Sequence, residues 1–396
     1  MPIGSLATVF DGPHATPKKT EAGPWFLSIS SLREGRLDLA ESAHLSEADF
    51  AKWTRRVTPE EGDLLFSYET RLGAAALMPS GVRACLGRRM GLLRPNKERV
   101  DQRFLLYAYL GPDFQQEISA RAVRGATVDR IPIAEIATWP LRVPPLSEQR
   151  AIAEVLGVLD DKIAVNERIA DASLVLAEAL YVRDSACEQG WHEVALLDTA
   201  TWKSGGTPKT SEASYWGGDI PWISAASLKS PWLDDSERRV TRLGAENGTR
   251  LVPAGTIIFV VRGMSLISEF RVGLTQLEVA FGQDCKALIP HRGVDPVVLL
   301  LALRSRAQDI LGLVDTAGHG TGRLGTDRIE KLRIKLPDRG TGTAFTKTVR
   351  SLAQRASAAK RENHTLAELR NTLLPQLITG KIRVEDAVRV VEDAES

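Results

Sequence analysis

The chain has 396 residues, of which 43% are hydrophobic and 26% are charged, and its formal net charge is +1 at pH 7. This length suffices for two or three domains with substantial cores. The near-zero charge excludes a globally basic protein, so that any contact with nucleic acid must use local basic patches. Three scattered cysteines without metal-ligand spacing, no signal pattern and no long apolar run predict a cytoplasmic protein without a membrane span.

The predicted first globular segment, residues 1–143, carries a polar and basic loop near its start. Proline, hydroxyl and lysine side chains between residues 12 and 20 suit contacts with phosphate groups. Arginines that follow can bond phosphates or guanine edges, although a solvated surface is the alternative role for each of them. The candidate contact residues of this segment are His14, Thr16, Lys18, Lys19, Arg33 and Arg88.

A long helix is predicted after Pro144 and Pro145, with Ser147 as a candidate N-cap, and we assign it residues 144–188. Apolar or small side chains recur at alternating steps of four and three for about four heptads, which predicts one seam of a coiled coil. A helix of this length would measure roughly 60 Å and needs a partner to bury its seam. The seam includes Ile152, Leu156, Leu159, Ile163 and Asn166.

The predicted second globular segment, residues 189–338, opens with a richer polar loop at residues 203–211, and Trp216 and Trp222 follow it. Two glycines, a proline and hydroxyl groups would present backbone N–H donors to phosphate, and the tryptophans would pack the loop onto a strand. A surface loop without a ligand is the alternative. The candidates are Lys203, Gly205, Gly206, Thr207, Lys209, Ser211 and Tyr215, with Arg262, His319 and Arg323 further along.

Residues 339–385 are predicted to form a second long helix that begins near Thr343, and residues 386–396 are predicted to form a frayed tail. The seam of this second helix repeats the spacing of the seam in the first helix. We therefore predict that the two helices pair in antiparallel fashion, with one Asn in each seam to fix the register. Two amphipathic helices on separate cores are the alternative. This second seam includes Val349, Leu352, Asn363, Leu366 and Leu373.

The two halves of the chain are related by an internal duplication at low identity. Residues 25–32 recur as residues 222–228, and residues 62–68 recur as residues 255–261, with nearly constant spacing between the matches. Residues 256–261 read as a strand, and residues 105–116 and 297–311 each read as one amphipathic helix. The predicted fold is α+β, with two pseudo-repeated globular domains separated by two long antiparallel coiled-coil helices.

Motifs for catalysis are missing from the sequence. It has no phosphate-binding loop of the Gly-x-x-x-x-Gly-Lys type and no dinucleotide fingerprint. Asp284 and Lys286 could imitate the end of a nuclease metal site, and an enzyme built on them is one alternative function. A pure scaffold, with paired helices that join other proteins and no DNA contact, is another.

Four stretches together resemble the specificity (S) subunit of type I restriction-modification systems over nearly the whole chain. Pro-Pro-Leu-Ser-Glu-Gln-Arg at residues 144–150, with Leu-Asp-Asp-Lys-Ile at 159–163, resembles the central conserved region of that family. Gly-Gly-Thr-Pro at 205–208, with residues 215–223, resembles the opening of its target recognition domains. Residues 363–382 resemble its C-terminal conserved helix. The first domain departs from the pattern, because His-Ala-Thr-Pro at residues 14–17 lacks the glycine pair.

The resemblance implies a non-catalytic subunit in which each globular domain reads one half of a split, asymmetric site on double-stranded DNA. It implies that the helices dock two methyltransferase (M) subunits, to which restriction (R) subunits add. S-adenosylmethionine for adenine-N6 methylation, ATP and Mg²⁺ would then lie on these partners, and none would be bound by this chain. The specificity subunit of a related type IIB-like system is the nearest alternative.

Overall fold

The computed structural model describes residues 1–33, 35–125, 128–187, 189–317, 321–338 and 342–395. The chain divides into two units. The first unit comprises Met1–Ala164 and Asn363–Ser396, and the second unit comprises Val165–Glu362. Each unit contains one globular segment and one part of each long helix. Among the described residues, no helix is both long and apolar enough to cross a lipid bilayer.

The globular segment of the first unit is built on an antiparallel four-stranded sheet. Its strands are β1 (Ala7–Asp11), β2 (Thr20–Phe26), β3 (Leu32–Arg33), β4 (Arg36–Leu37), β5 (Ala43–His44), β6 (Leu64–Ser67), β7 (Ala75–Leu77), β8 (Ala84–Cys85) and β9 (Met90–Pro95). Its helices are α1 (Glu47–Trp53), α2 (Gln102–Leu110), α3 (Pro112–Arg121) and α4 (Ile133–Ile136). The main sheet has the order β1-β9-β6-β7, and a smaller sheet has the order β5-β2-β8. Phe66 on β6 and Phe104 on α2 are fully buried in one core, because the apolar runs of both elements face each other.

Helix α5 (Leu146–Ser185) connects this segment to the globular segment of the second unit. The strands there are β10 (Trp191–Ala195), β11 (Ala200–Ser204), β12 (Trp216–Ile223), β13 (Trp232–Leu233), β14 (Arg239–Val240), β15 (Leu251–Val252), β16 (Ile257–Val260), β17 (Arg262–Gly263), β18 (Val272–Thr275), β19 (Val279–Phe281), β20 (Cys285–Pro290), β21 (Val314–Ala317), β22 (Thr321–Leu324) and β23 (Arg333–Pro337). The helices are α6 (Arg242–Gly248), α7 (Pro296–Ser305), α8 (Ala307–Gly312) and α9 (Thr326–Ile329).

The internal duplication is confirmed by the strand orders of the two segments. The order β1-β9-β6-β7 corresponds to β11-β20-β16-β18, and β5-β2-β8 corresponds to β14-β12-β19. The helix that follows each main sheet also starts in the same way. Asp101 accepts a hydrogen bond from the N–H of Phe104 at the start of α2, and Asp295 accepts one from the N–H of Val298 at the start of α7. The predicted α+β fold with two repeated domains and two long helices is therefore confirmed.

The expectation of a single helix over residues 105–116, and of another over residues 297–311, is wrong. Gly111 has an extended backbone and Pro112 occupies the first position of α3, so that the chain breaks between α2 and α3. Proline disfavours the helical conformation in the residue before it, which explains this break. In the second unit, α7 ends at Ser305, and Arg306 leaves the helical conformation with ψ of 14° before α8 begins.

The two long helices pair in antiparallel fashion inside each unit. Helix α10 (Gly342–Ile378) is the partner of α5. In the first unit, the Asn363 side chain donates a hydrogen bond of 3.1 Å to the carbonyl oxygen of Ile163. In the second unit, the Asn166 side chain donates to the Glu362 carboxylate at 2.8 Å, and the ring of Tyr181 lies 6.5 Å from that of Phe345. Both predicted Asn residues thus bond across the pair, as residues that fix a register should.

The prediction of a frayed tail is wrong. Residues Val384–Glu395 form helix α11, in which Ala387 and Val391 are buried against the core of the first unit. The spacing of four between these two side chains places them on one face of the helix. Because that face meets an existing apolar core, the helix is held by packing and does not depend on intrinsic propensity alone.

Candidate nucleic-acid interface

The polar loop that follows β11 in the second unit is held by two tryptophan side chains. The indole N–H of Trp222 donates to the carbonyl oxygen of Gly206 at 3.1 Å, and that of Trp216 donates to the carbonyl oxygen of Lys209 at 3.3 Å. The two rings meet edge to face, with their centroids 5.5 Å apart. The loop is therefore fastened at two points by the tryptophans that the sequence predicts to pack it.

The glycine pair of this loop serves close backbone packing. A Cβ atom on Gly205 would lie 2.3 Å from the carbonyl oxygen of Gly282, and one on Gly206 would lie 2.3 Å from that of Gly248. The N–H of Gly206 donates to the carbonyl oxygen of Phe281 at 3.0 Å. The expectation that Gly206 offers this N–H to a phosphate is therefore wrong, because the donor is already used inside the domain.

The charged side chains of the loop remain accessible. Lys203, Lys209 and Ser211 are exposed, and Tyr215 is half-buried. The hydroxyl of Thr207 donates to the side-chain oxygen of Gln283. What the loop presents to a ligand is thus its lysines and a serine hydroxyl, which suit phosphate contacts that position a nucleic acid without reading its sequence.

Arg238 is a candidate that sequence reasoning missed. Its guanidinium lies over the ring of Trp216 at 3.7 Å from the centroid and over that of Trp222 at 5.0 Å. Such stacking is a cation–π contact that fixes the guanidinium beside the loop. The sequence contains no local signal for it, because Arg238 follows Trp216 by 22 positions and Trp222 by 16, and only the fold brings them together.

A second basic surface forms at the three-stranded sheet β17-β22-β21 of the same unit. Arg262 on β17 lies directly opposite Arg323 on β22, and both side chains are exposed. A carboxylate oxygen of Asp284 lies 4.0 Å from the Arg262 guanidinium. The structure therefore brings together two of the predicted contact residues. His319, which is predicted as a contact residue together with these two arginines, lies outside the described residues.

In the first unit, the predicted contact residues are exposed, and two of them have acidic partners. His14 lies 2.9 Å from a carboxylate oxygen of Asp11, and Arg33 pairs with Glu41 at 3.1 Å. Thr16, Lys18, Lys19 and Arg88 are exposed. Because Glu41 compensates the charge of Arg33, this arginine is a weaker phosphate contact than the sequence suggested.

Asp284 and Lys286 contact different neighbours in the structure. Lys286 donates to the hydroxyl of Ser204 at 2.7 Å, whereas Asp284 faces Arg262. Burial raises the pKa of the Cys285 thiol between them to about 12, so that it stays protonated at neutral pH and is a poor nucleophile. Within the described ranges, no three His, Cys, Asp or Glu side chains are grouped to hold a metal ion.

The seam residues of both long helices are covered by other parts of the chain. Leu352 and Asn363 are half-buried, and the other eight seam positions named above are buried. Side chains on another face of α5 in the second unit are exposed although they are apolar. These are Val165, Val175, Leu176 and Val182. The buried seam is therefore not available to a binding partner, whereas this exposed apolar face of α5 is.

Comparison with known proteins places these features in one family. Residues 38–172 and 188–361 match the model of the type I restriction modification DNA specificity domain. The specificity subunit of the Escherichia coli type I restriction enzyme EcoR124I/EcoR124II is 28% identical over 192 residues, which cover 47% of this chain and 48% of that protein. The HindI specificity subunit of Haemophilus influenzae is 26% identical over 199 residues, 49% of this chain and 42% of that protein. The chain spans about half the length of these curated relatives.

A solved structure shares the fold over nearly the whole chain. The S subunit of the type I restriction-modification system from M. genitalium superposes with a TM-score of 0.60 and 18% sequence identity, and the match covers 95% of both chains. The duplicated α+β architecture with two long helices is thus an arrangement that the M. genitalium protein also adopts.

Proposed function

Since this chain belongs to the family of type I restriction-modification DNA specificity subunits, we propose that it reads a bipartite, asymmetric DNA site. In this proposal each globular segment recognises one half of the site, and the methyltransferase and restriction subunits carry the chemistry. S-adenosylmethionine for adenine-N6 methylation, ATP and Mg²⁺ would bind to those partners. This chain would supply target choice and would not itself be catalytic.

The observation that carries the proposal is a duplicated fold whose matching surfaces have diverged. In the second unit, β17 and β22 place Arg262 opposite Arg323, whereas the matching bridge in the first unit places Glu69 opposite Arg130. Identical subunits in a symmetric dimer read palindromes, because half-site symmetry mirrors protein symmetry. Two domains with the same fold and different side chains can instead read two different half-sites.

The long helices suit a site that is split by a gap. Helix α5 has 40 residues and measures about 60 Å at 1.5 Å per residue. One turn of DNA measures roughly 34 Å. A helix of this length is therefore sufficient to span more than one turn.

Methyltransferase docking belongs on the exposed apolar face of α5. Exposed apolar side chains that share one helix face are a common mark of a protein–protein interface. Val175→Asp together with Leu176→Asp should abolish co-purification of the methyltransferase subunit, because each change places a charge in the contact. Leu197→Asp is a matched control at an exposed leucine outside this face. Equal loss of co-purification in the control would contradict the assignment of the docking face.

Reconstitution with the methyltransferase subunit tests the proposed function itself. The complex should bind one sequence specifically, with an affinity that falls as salt rises. Lys209→Ala should weaken binding to all sequences evenly and reduce the salt slope by about one unit, as expected of a phosphate contact. Lys331→Ala, at an exposed lysine after α9, is the control and should leave the slope unchanged. A complex without sequence preference would favour the scaffold function instead.

A further inference from the structure

An apolar side chain is exposed to solvent beside Arg262 and Arg323, the arginine pair of the second unit. The 3-10 turn Met264–Ile267 follows β17 directly. Met264 is 73% exposed, the highest fraction among the large hydrophobic side chains in the part of the chain that the structure describes, and Ile267 is exposed as well. Contact of these side chains with water is unfavourable, so that a ligand that covers them would bind more tightly through the hydrophobic effect.

The turn that presents Met264 is fixed by close packing. Leu266 is buried, and a Cβ atom on Gly322 would lie 2.7 Å from the Cβ of Leu266, so that only glycine permits this approach. Gly263 has a φ of 155°, a value that L side chains rarely adopt. The turn is therefore anchored from inside by Leu266, and Met264 is presented on its outer side.

The charges around Met264 favour an anionic ligand. Like charges directly opposite one another on antiparallel strands are destabilising, and Arg262 and Arg323 form such a pair. Asp284, 4.0 Å from Arg262, offsets part of this charge, and Arg323 has no ion pair among the described residues. In the first unit, the matching position holds Glu69, which bonds Arg89 at 2.7 Å. At this position, therefore, the second unit carries paired cations beside exposed apolar side chains, whereas the first unit carries an acid–base pair.

We propose that Met264 contacts the C5-methyl group of a thymine in the second half-site, next to bases that Arg262 and Arg323 contact. This inference rests on the proposed function and adds a residue that determines specificity. The major groove of DNA admits a two-stranded ribbon such as β17-β22, which carries both arginines, and its floor presents both guanine acceptors and thymine methyl groups. Arginine can donate hydrogen bonds to the guanine acceptors, and an apolar side chain can contact the thymine methyl group.

The test uses the reconstituted complex and its mapped target. Each thymine of the second half-site is replaced in turn by uracil, which lacks only the C5-methyl group, and the dissociation constant is measured at one salt concentration. One replacement should weaken binding of the wild-type complex about fourfold, the value for one buried methyl group. The Met264→Ala complex should bind the thymine duplex more weakly and should show no response to that replacement. Leu197→Ala, at an exposed leucine outside this surface, should respond as the wild type does.

Two results separate the failure of this inference from the failure of the proposed function. If Met264→Ala keeps the full wild-type response, or if no uracil replacement weakens the wild-type complex, the methyl contact is refuted while specific recognition stands. If the wild-type complex does not distinguish its target from a scrambled duplex, the proposed function fails together with the inference. Met264 is largely exposed, so that its removal leaves the core of the unit intact.

Discussion

Replacing Asp160 with asparagine should destabilise the first unit strongly, because this carboxylate joins the globular segment to the helix pair. One carboxylate oxygen accepts a hydrogen bond of 2.7 Å from Arg370 on α10, and the other accepts one of 2.6 Å from the Tyr107 hydroxyl on α2. The Asp160 side chain is 18% exposed and that of Arg370 is 13% exposed. Burial and the Asp160 charge both raise the pKa of Tyr107 above its usual value, which keeps the phenol as a donor.

The expected cost follows from these contacts. Each hydrogen bond to a charged group contributes about 1.5–3 kcal/mol, and breaking a fully buried ion pair costs about 3–5 kcal/mol. Asparagine keeps one acceptor but turns an NH₂ group toward a donor. Since both side chains retain some exposure, we expect Asp160→Asn to lower the free energy of unfolding by about 2–3 kcal/mol. The measurement is urea denaturation followed by circular dichroism.

The neighbouring residue provides a matched control. Asp161 makes two hydrogen bonds of 3.0 Å with Arg103, but 64% of its side chain is exposed. Water screens such a surface pair, so that Asp161→Asn should cost at most about 1 kcal/mol. Equal losses for the two variants would refute the reasoning that burial decides the contribution of each carboxylate.

Two further variations test the core and the helix pair. Ile163→Asp should lower the free energy of unfolding by at least about 3 kcal/mol, because it places an unpaired charge in the buried seam; a small change in urea denaturation would contradict the pairing. Raising the pH above about 10 should destabilise the fold. Burial raises the pKa of four of the five tyrosines, so that the folded state keeps these side chains neutral while the unfolded state ionises them above about pH 10. Absorbance titration should show these four tyrosines ionising only together with unfolding. Ionisation of any of the four near pH 10 in the folded protein would contradict the prediction. The four are Tyr68, Tyr107, Tyr109 and Tyr181, the last with a pKa of about 12.

Local patterns in the sequence were sufficient to predict the long helices and the main strands. The steps of four and three around Leu156 and Leu366 identify one buried face on each helix, and both side chains are buried in the first unit. The run at β16 is apolar and β-branched, and it forms a fully buried strand. These predictions succeed because spacing along one element decides which of its sides is apolar.

Contacts between distant residues could not be predicted in this way. Gly206 looks like a free donor until the fold places Phe281 against it, and Arg262 faces Arg323 only because β17 pairs with β22. Helix α11 was missed for a related reason, although its signal was present. The spacing of Ala387 and Val391 fits one helical face, but the core that receives this face is contributed by other segments.

Methylation mapping of the reconstituted complex tests most directly whether each globular segment reads its own half-site. Arg323→Ala should relax the preference at one position of one half-site, at a cost of about 1–3 kcal/mol, and leave the other half unchanged. Arg88→Ala, in the first unit, should affect only the other half. If either variant alters both halves, or if Arg323→Ala alters the half assigned to residues 1–143, the division of recognition between the two segments is contradicted.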